Sequence, residues 1–307
     1  MNATHDTKDV TAPKKHHFVP QMLLRKFASA DGSLRVFAID REATYTSKTL
    51  GLGQVKGGHN RVRPDGTVDR EFLEQWMSSL EGAAADDIAK LVASNELTVD
   101  LKDYPALPWL ASLQHNRSRA LMGYLKARLE AESMTGSALE TQTAILDVTA
   151  RNVLRAWESS KDEYARPKDQ WDSMVSVLGY LRWDVLRYEK PRLVVSDGFA
   201  AQYGVAPEYE AAYDKTAKNW AKHGIGVPQH QAASFTIPLT TQVALHLHHG
   251  DARKYLSAQQ VNQRTIYAAR SFVALPSDWT LPDEALGDVG EWIDTQRFVR
   301  SMIAKNA

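Results

Sequence analysis

The chain has 307 residues, 43% hydrophobic and 24% charged, an ordinary balance for a globular protein long enough to bury a substantial core. Its 37 basic and 37 acidic residues cancel, which argues against a broad surface for coating nucleic acid, and with no cysteine it has no disulfide, thiolate metal site or cysteine nucleophile. The longest apolar runs fall far short of a membrane span, and residues 1–14 lack the apolar core of a secretory signal, so no membrane role is expected and the cytoplasm is the expected compartment.

Residues 1–14 are small and polar without periodicity and are expected to form a mobile tail, with residues 15–307 as a single compact domain. The run from Lys15 to Phe27 packs His16, His17 and Pro20 ahead of Met22, Leu23, Leu24 and Phe27 at helical spacing. The residue before a proline avoids the helical region, and Pro20 suits a first helical turn, so an irregular lead-in can turn both histidines toward one cavity. Imidazole can accept, donate or bind metal near neutral pH, which makes the pair a candidate for acid–base chemistry; the plainer alternative is one ring satisfying a backbone group and one in solvent.

Leu34–Ile39 and Thr44–Thr46 flank a turn at 40–42 and predict a hairpin. Gly51, Gly53, Gly57 and Gly58 lack the strand and helix context of a phosphate cradle and read as loop, and Arg63-Pro64-Asp65-Gly66 reads as a turn. From Asp69 to about Ser94, Phe72, Trp76, Leu80, Ala83, Ile88 and Leu91 form one helical stripe, with Glu74 and Glu81 together on a face. Such a carboxylate pair serves metal binding or acid–base work, or simply a solvated face. Pro105 and Pro108 open the next helix, where Gln114 and Arg117 occupy positions that the stripe of Leu110, Leu113, Leu121 and Tyr124 would fill with aliphatic residues. An unpaired buried guanidinium is costly, so Arg117 calls for a carboxylate, a wet cavity or an anionic ligand. Between His115 and Arg128 the charges are all basic, whereas Asp283, Glu284, Asp288, Glu291 and Asp294 form an acidic stretch.

Helices are predicted at about 138–160 and 169–188, the latter ended by Pro191. Leu193-Val194-Val195 is a short strand leading to Ser196-Asp197-Gly198, a place to present a carboxylate or to make a turn. Residues 202–232 read as a polar insertion, and Ser234–Leu239 and Val243–His248 as strands, with His246 and His248 on a half-exposed face rather than in a metal site. A helix from about Ser257 to Ala274 turns Val261, Thr265, Ala268, Ala269 and Phe272 inward, with Asn262 beside them, and 283–304 reads as a last helix.

His16-His17-x-x-Pro20, the hairpin, the Glu74 and Glu81 helix, Gln114-x-x-Arg117, Val195-Ser196-Asp197, Ile237-Pro238-Leu239-Thr240 and Val261-Asn262 resemble, in that order, the bacterial family called domain of unknown function 4238. The resemblance spans about residues 14–275; family members often carry a proline one or two residues after the Ser-Asp, where this chain has Gly198-Phe199. It implies that His16, His17, Gln114, Arg117, Asp197 and Asn262 converge on one polar pocket. In that pocket His16, His17 and Asp197 would be catalytic and Gln114, Arg117 and Asn262 would bind an anion or substrate. Such a set suits metal-independent phosphodiester cleavage by a nuclease-like hydrolase acting on nucleic acid, by analogy a toxin or defence effector. The alternative is a non-catalytic module or sensor for an anionic small molecule or peptide. A third reading makes the polar set an internal hydrogen-bond network. No cofactor is expected, and a divalent metal stays open. The expected fold class is α+β and predominantly helical, with an N-terminal hairpin and a small C-terminal antiparallel sheet on a helical middle.

Overall fold

The computed structural model describes residues 15–39, 41, 43–56, 61–62, 68–69, 72–116, 178–222, 227–250 and 252–279. The expected tail, the turn at 63–66, Arg117 with the basic run after it, the helix at 138–160, the start of the one at 169 and the acidic C-terminal helix lie outside these residues.

In chain order come β1 (Lys15–His17), α1 (Gln21–Arg25), β2 (Ser33–Ala38), β3 (Ala43–Lys48), β4 (Gln54–Lys56), β5 (Arg61–Val62), β6 (Val68–Asp69), α2 (Phe72–Ala93) and α3 (Ala106–Asn116). After these follow β7 (Arg182–Arg187), β8 (Val195–Ser196), β9 (Ala201–Val205), α4 (Lys215–Ala221), β10 (Ala232–Pro238), β11 (Val243–His248), α5 (Ala258–Ala268) and β12 (Phe272–Pro276). Two four-stranded antiparallel sheets, ordered β3-β2-β12-β8 and β7-β11-β10-β9, carry the fold, and β1-β4 and β5-β6 are small ribbons. Strand makes up 27% against 37% helix over the described residues, so the expectation of a predominantly helical protein is corrected.

Two local readings account for much of that correction. The segment expected to be helical as far as 188 becomes β7, because Trp183 and Val185 alternate with Asp184 and Leu186 at strand period. Trp183 and Val185 join the core of Met77, Leu80, Ile88, Trp109, Leu110, Phe235, Ile237, Leu245 and Leu247, where α2 and α3 cover one face of the second sheet. The helix expected to reach Ala274 stops at Ala268, and Phe272–Pro276 pairs with β2 instead. Phe272 and Ala274 pack with Leu34, Val36 and Val261, whereas Val273 and Leu275 pack with Ile39 and Val194, again a period of two. The N-terminal hairpin is present as β2 and β3, but β12 and β8 complete its sheet from the far end of the chain. The supposed insertion at 202–232 holds β9, which pairs with β10, and α4.

Caps fix the helix ends. Asp87 accepts from the Ala106 N–H at the start of α3, and Arg187 donates to the Leu91 and Val92 carbonyls at the end of α2. Ser257 and Gln260 form a reciprocal capping box on α5. Residues 97–99 extend the second sheet beyond β7 through Val99 N–H to Trp183 and Val185 N–H to Leu97.

Candidate functional site

The second sheet has one apolar face, covered by α2 and α3, and one polar face. Register places Asp184, His246, Thr236 and Ala201 across the polar face, with Arg182, His248, Ser234 and Tyr203 in the next row. Helix α5 and the loop after β11 cover this row; His246 is 3% exposed and His248 1%. The half-exposed histidine face read from the sequence is therefore corrected to a buried one, since alternation tells which residues share a face but not what lies over it.

At its centre Asp184 is fully buried. Its Oδ1 accepts from Arg182 Nε at 2.8 Å, and its Oδ2 accepts from His248 Nε2 and from the Lys254 N–H, each at 2.8 Å. Burial opposes the charge, but these donors hold the carboxyl below its ordinary range. His248 Nδ1 lies 2.9 Å from the His249 carbonyl, so both ring nitrogens face acceptor oxygens. That ring has no nitrogen left for chemistry.

His246 lies beside it, with ring centroids 4.7 Å apart, and its Nδ1 donates to the Lys254 carbonyl at 3.2 Å. Burial pushes its pKa down to about 4, and the charges of Arg264 and His248 add to the shift. It is neutral at pH 7, with Nε2 as its acceptor nitrogen. Arg264, on α5, donates from Nη1 to Ser234 Oγ at 3.2 Å and Thr236 Oγ1 at 3.0 Å, with its guanidinium 4.0 Å from the Tyr203 ring centroid. Burial lowers its pKa to about 10, which still leaves it charged. Among the described residues no carboxylate pairs with Arg264. The guanidinium is partly buried and oriented by two hydroxyls and an aromatic face, a setting in which a guanidinium can donate to an anion.

The residues singled out from the sequence are placed as follows. His16 lies opposite Val55 in the β1–β4 ribbon, and its side chain is outside the described part. His17 Nδ1 is 2.9 Å from Gln21 Nε2 and 3.2 Å from the Leu52 carbonyl, and its Nε2 is 3.1 Å from Gln54 Nε2. Gln21 Nε2 also donates to the Thr49 carbonyl, so the ring ties the lead-in to residues 49–54. Gln114 is buried within α3, next to the apolar core. Glu81 is on α2, and the side chain of Glu74 is outside the described part.

Asp197 and Asn262 are brought together in one task. Asn262 Oδ1 accepts from the Val194 N–H at 3.1 Å, while its Nδ2 donates to the Arg192 carbonyl at 2.8 Å. Asp197 Oδ1 accepts from the N–H groups of Arg270, Ser271 and Phe272 at 2.8, 3.1 and 3.4 Å. The two side chains lash residues 192–197 to α5 and to the turn into β12. Burial pushes the Asp197 carboxyl up, against the three backbone bonds and the Ser271 side chain. Gly198 follows because a Cβ there would stand 2.2 Å from the Ala268 carbonyl oxygen. Among the described residues no group of three or more His, Cys, Asp or Glu side chains is placed to hold a metal ion, and no helix is long and apolar enough to cross a membrane.

This arrangement, two antiparallel sheets with a buried Asp–His pair and an arginine beside it, defines an α+β protein with a polar sheet face. Residues 15–278 match the family described as protein of unknown function (DUF4238), and the chain belongs to that family. No curated protein and no solved structure matches it.

Proposed function

We propose that this protein is a binding module for a small anionic group, held at Arg264 on the polar face of the second sheet. The supporting observation is the guanidinium without a described carboxylate partner, seated on Tyr203 and oriented by Ser234 and Thr236. The rigid sheet beneath it, locked by Asp184 and His248, keeps the donors in place before a ligand arrives. The test is a thermal titration with inorganic phosphate. At a phosphate concentration about ten times its Kd the native state gains about 1.4 kcal/mol, a rise of about 2 °C in Tm, and Arg264→Gln should remove that rise. If phosphate leaves the Tm of the wild-type protein unchanged, or raises it equally in Arg264→Gln, this reading falls.

A second reading, phosphodiester cleavage, draws on the neutral imidazole of His246 next to the Arg264 charge, a base beside an anion holder. It predicts cleavage of RNA or DNA that is lost in both Arg264→Gln and His246→Gln. Wild-type protein that binds phosphate yet cleaves neither polymer, with or without divalent metal, leaves the binding role alone.

A further inference from the structure

Helix α4 presents a cationic groove whose residues are not among those that seat Arg264. Lys215, Lys218, Asn219 and Lys222 line a concave space of about 480 Å³. Their helical spacing puts all four on one side of α4, and at a rise of about 1.5 Å per residue the lysines are spread over about 10 Å along its axis. The other side of the helix is fixed. Ala221 is buried with Val205 and Val227, Tyr209 and Tyr213 pack against them, and Asp214 caps the first turn by accepting from the Ala217 N–H at 2.7 Å. The lysine side therefore cannot turn inward, and like charges at neighbouring helical positions repel one another. Among the described residues their one carboxylate partner is Glu210, 3.7 Å from Lys218, and both groups are exposed enough for solvent to keep the contact weak. Lys215 and Lys222 pair with no described carboxylate. A short, firmly seated helix that gathers uncompensated ammonium groups around one hollow suits a ligand with several negative charges in a row.

We infer that this groove binds a condensed phosphate chain of two or more phosphates. Lysine supplies compact point charges on flexible stems, which follow successive phosphate oxygens without demanding one planar geometry, and Asn219 adds an amide donor. The volume is that of a small-molecule site. Among the described residues the lining has no aromatic ring on which bases could stack, which disfavours a nucleic-acid strand. The apolar side of α4 is already committed to the core, which leaves nothing to enter a lipid surface. An inorganic polyphosphate and the 5′-polyphosphate of a nucleotide share this chemistry. The experiment titrates the full chain by calorimetry, at matched ionic strength and without divalent metal, with tripolyphosphate, orthophosphate, adenosine 5′-triphosphate and a short oligothymidylate. Tripolyphosphate should bind at least about tenfold tighter than orthophosphate, because it reaches further ammonium groups. The double variant Lys215→Gln, Lys222→Gln should lose that advantage; Lys215→Arg, Lys222→Arg, which keeps both charges, should retain it, and so should Arg264→Gln. Adenosine triphosphate binding more tightly than tripolyphosphate assigns the chain to a nucleotide, and binding more weakly assigns it to an inorganic polyphosphate; either supports the inference. Tripolyphosphate that binds no tighter than orthophosphate, or equally well to the glutamine double variant, overturns it. So does an oligothymidylate that outbinds tripolyphosphate through the same lysines, which would make the groove a strand site. Loss of tripolyphosphate binding in Arg264→Gln but not in the lysine variant also overturns it, and places the phosphates at that arginine instead.

Discussion

Removing the carboxylate of Asp184 is the most severe single perturbation the site offers. The side chain is fully buried and accepts three hydrogen bonds at 2.8 Å, from Arg182, His248 and the Lys254 backbone. Asp184→Ala leaves a buried imidazole facing nothing and a backbone N–H without an acceptor, and breaking one side of such a pair costs about 3–5 kcal/mol. For a chain of 307 residues that corresponds to a fall in Tm of about 5–8 °C. His248→Ala should cost less, because Asp184 keeps Arg182 and the Lys254 N–H. The double variant should be less destabilised than the sum of the singles by at least about 1 kcal/mol, the signature of a coupled pair. Urea unfolding at pH 7.5, read by tryptophan fluorescence, gives all four stabilities on one scale. Additive losses, or an Asp184→Ala protein melting within a degree or two of wild type, would refute the idea that this pair locks the polar face.

Other consequences can be checked alongside. His246 has its pKa pushed from 6.5 to about 4 in the fold, so the unfolded chain binds its proton first. Its contribution is complete above pH 6.5 and is lost as pH falls toward 4, up to about 3 kcal/mol, and His246→Gln should flatten that part of the pH–stability curve. The Asp184 carboxyl, held low, adds a further loss as the pH drops below the ordinary carboxylate range. Gly198→Ala drives a methyl onto the Ala268 carbonyl and should cost about 2–3 kcal/mol, seen as a lowered urea midpoint with an unchanged slope. Asn262→Ala removes both ties to residues 192–194 and should cost about 1–3 kcal/mol, read as a lowered urea midpoint. Asp197→Ala orphans three N–H groups and should be worse than Asp197→Asn, which keeps an acceptor and removes a charge that burial disfavours.

Several elements were legible in the chain itself. The hairpin at 33–48, the α2 stripe, the start of α3, the strands at 232–248 and the start of α5 near Ser257 follow from periodicity and turn residues. Arg182–Arg187 was not, because a run of six with Trp183, Val185 and Leu186 satisfies a helical count continuing from Leu178 and Leu181 as well as a strand count. Only pairing with β11 decides between them, and that partner lies some sixty residues on. The end of α5 was hidden for a related reason. Nothing between Ala268 and Phe272 is a glycine or a proline, and the turn is held by Asp197, at the end of the neighbouring strand β8, which accepts from three successive N–H groups.

The same long-range dependence explains why a candidate site read from short motifs and the site built by the sheet differ in membership. Asp197 and Asn262 stand out locally because a carboxylate at a strand end and an amide beside an apolar stripe look available; the backbone groups that occupy them belong to segments 68 to 75 residues away. Asp184, His248 and Arg264 look unremarkable one at a time, the first inside an apparent helix and the second on an apparently open strand. Register alone makes them neighbours: His246 opposite Asp184 fixes His248 one row along, and α5, held over that row by its ties to residues 192–197, brings Arg264 onto Ser234 and Thr236. The braces and the seat of Arg264 are therefore one construction. A variant that loosens Asn262 or Gly198 should reach ligand binding only through the position of α5, lowering stability first, whereas Arg264→Gln should lose the ligand while the fold holds.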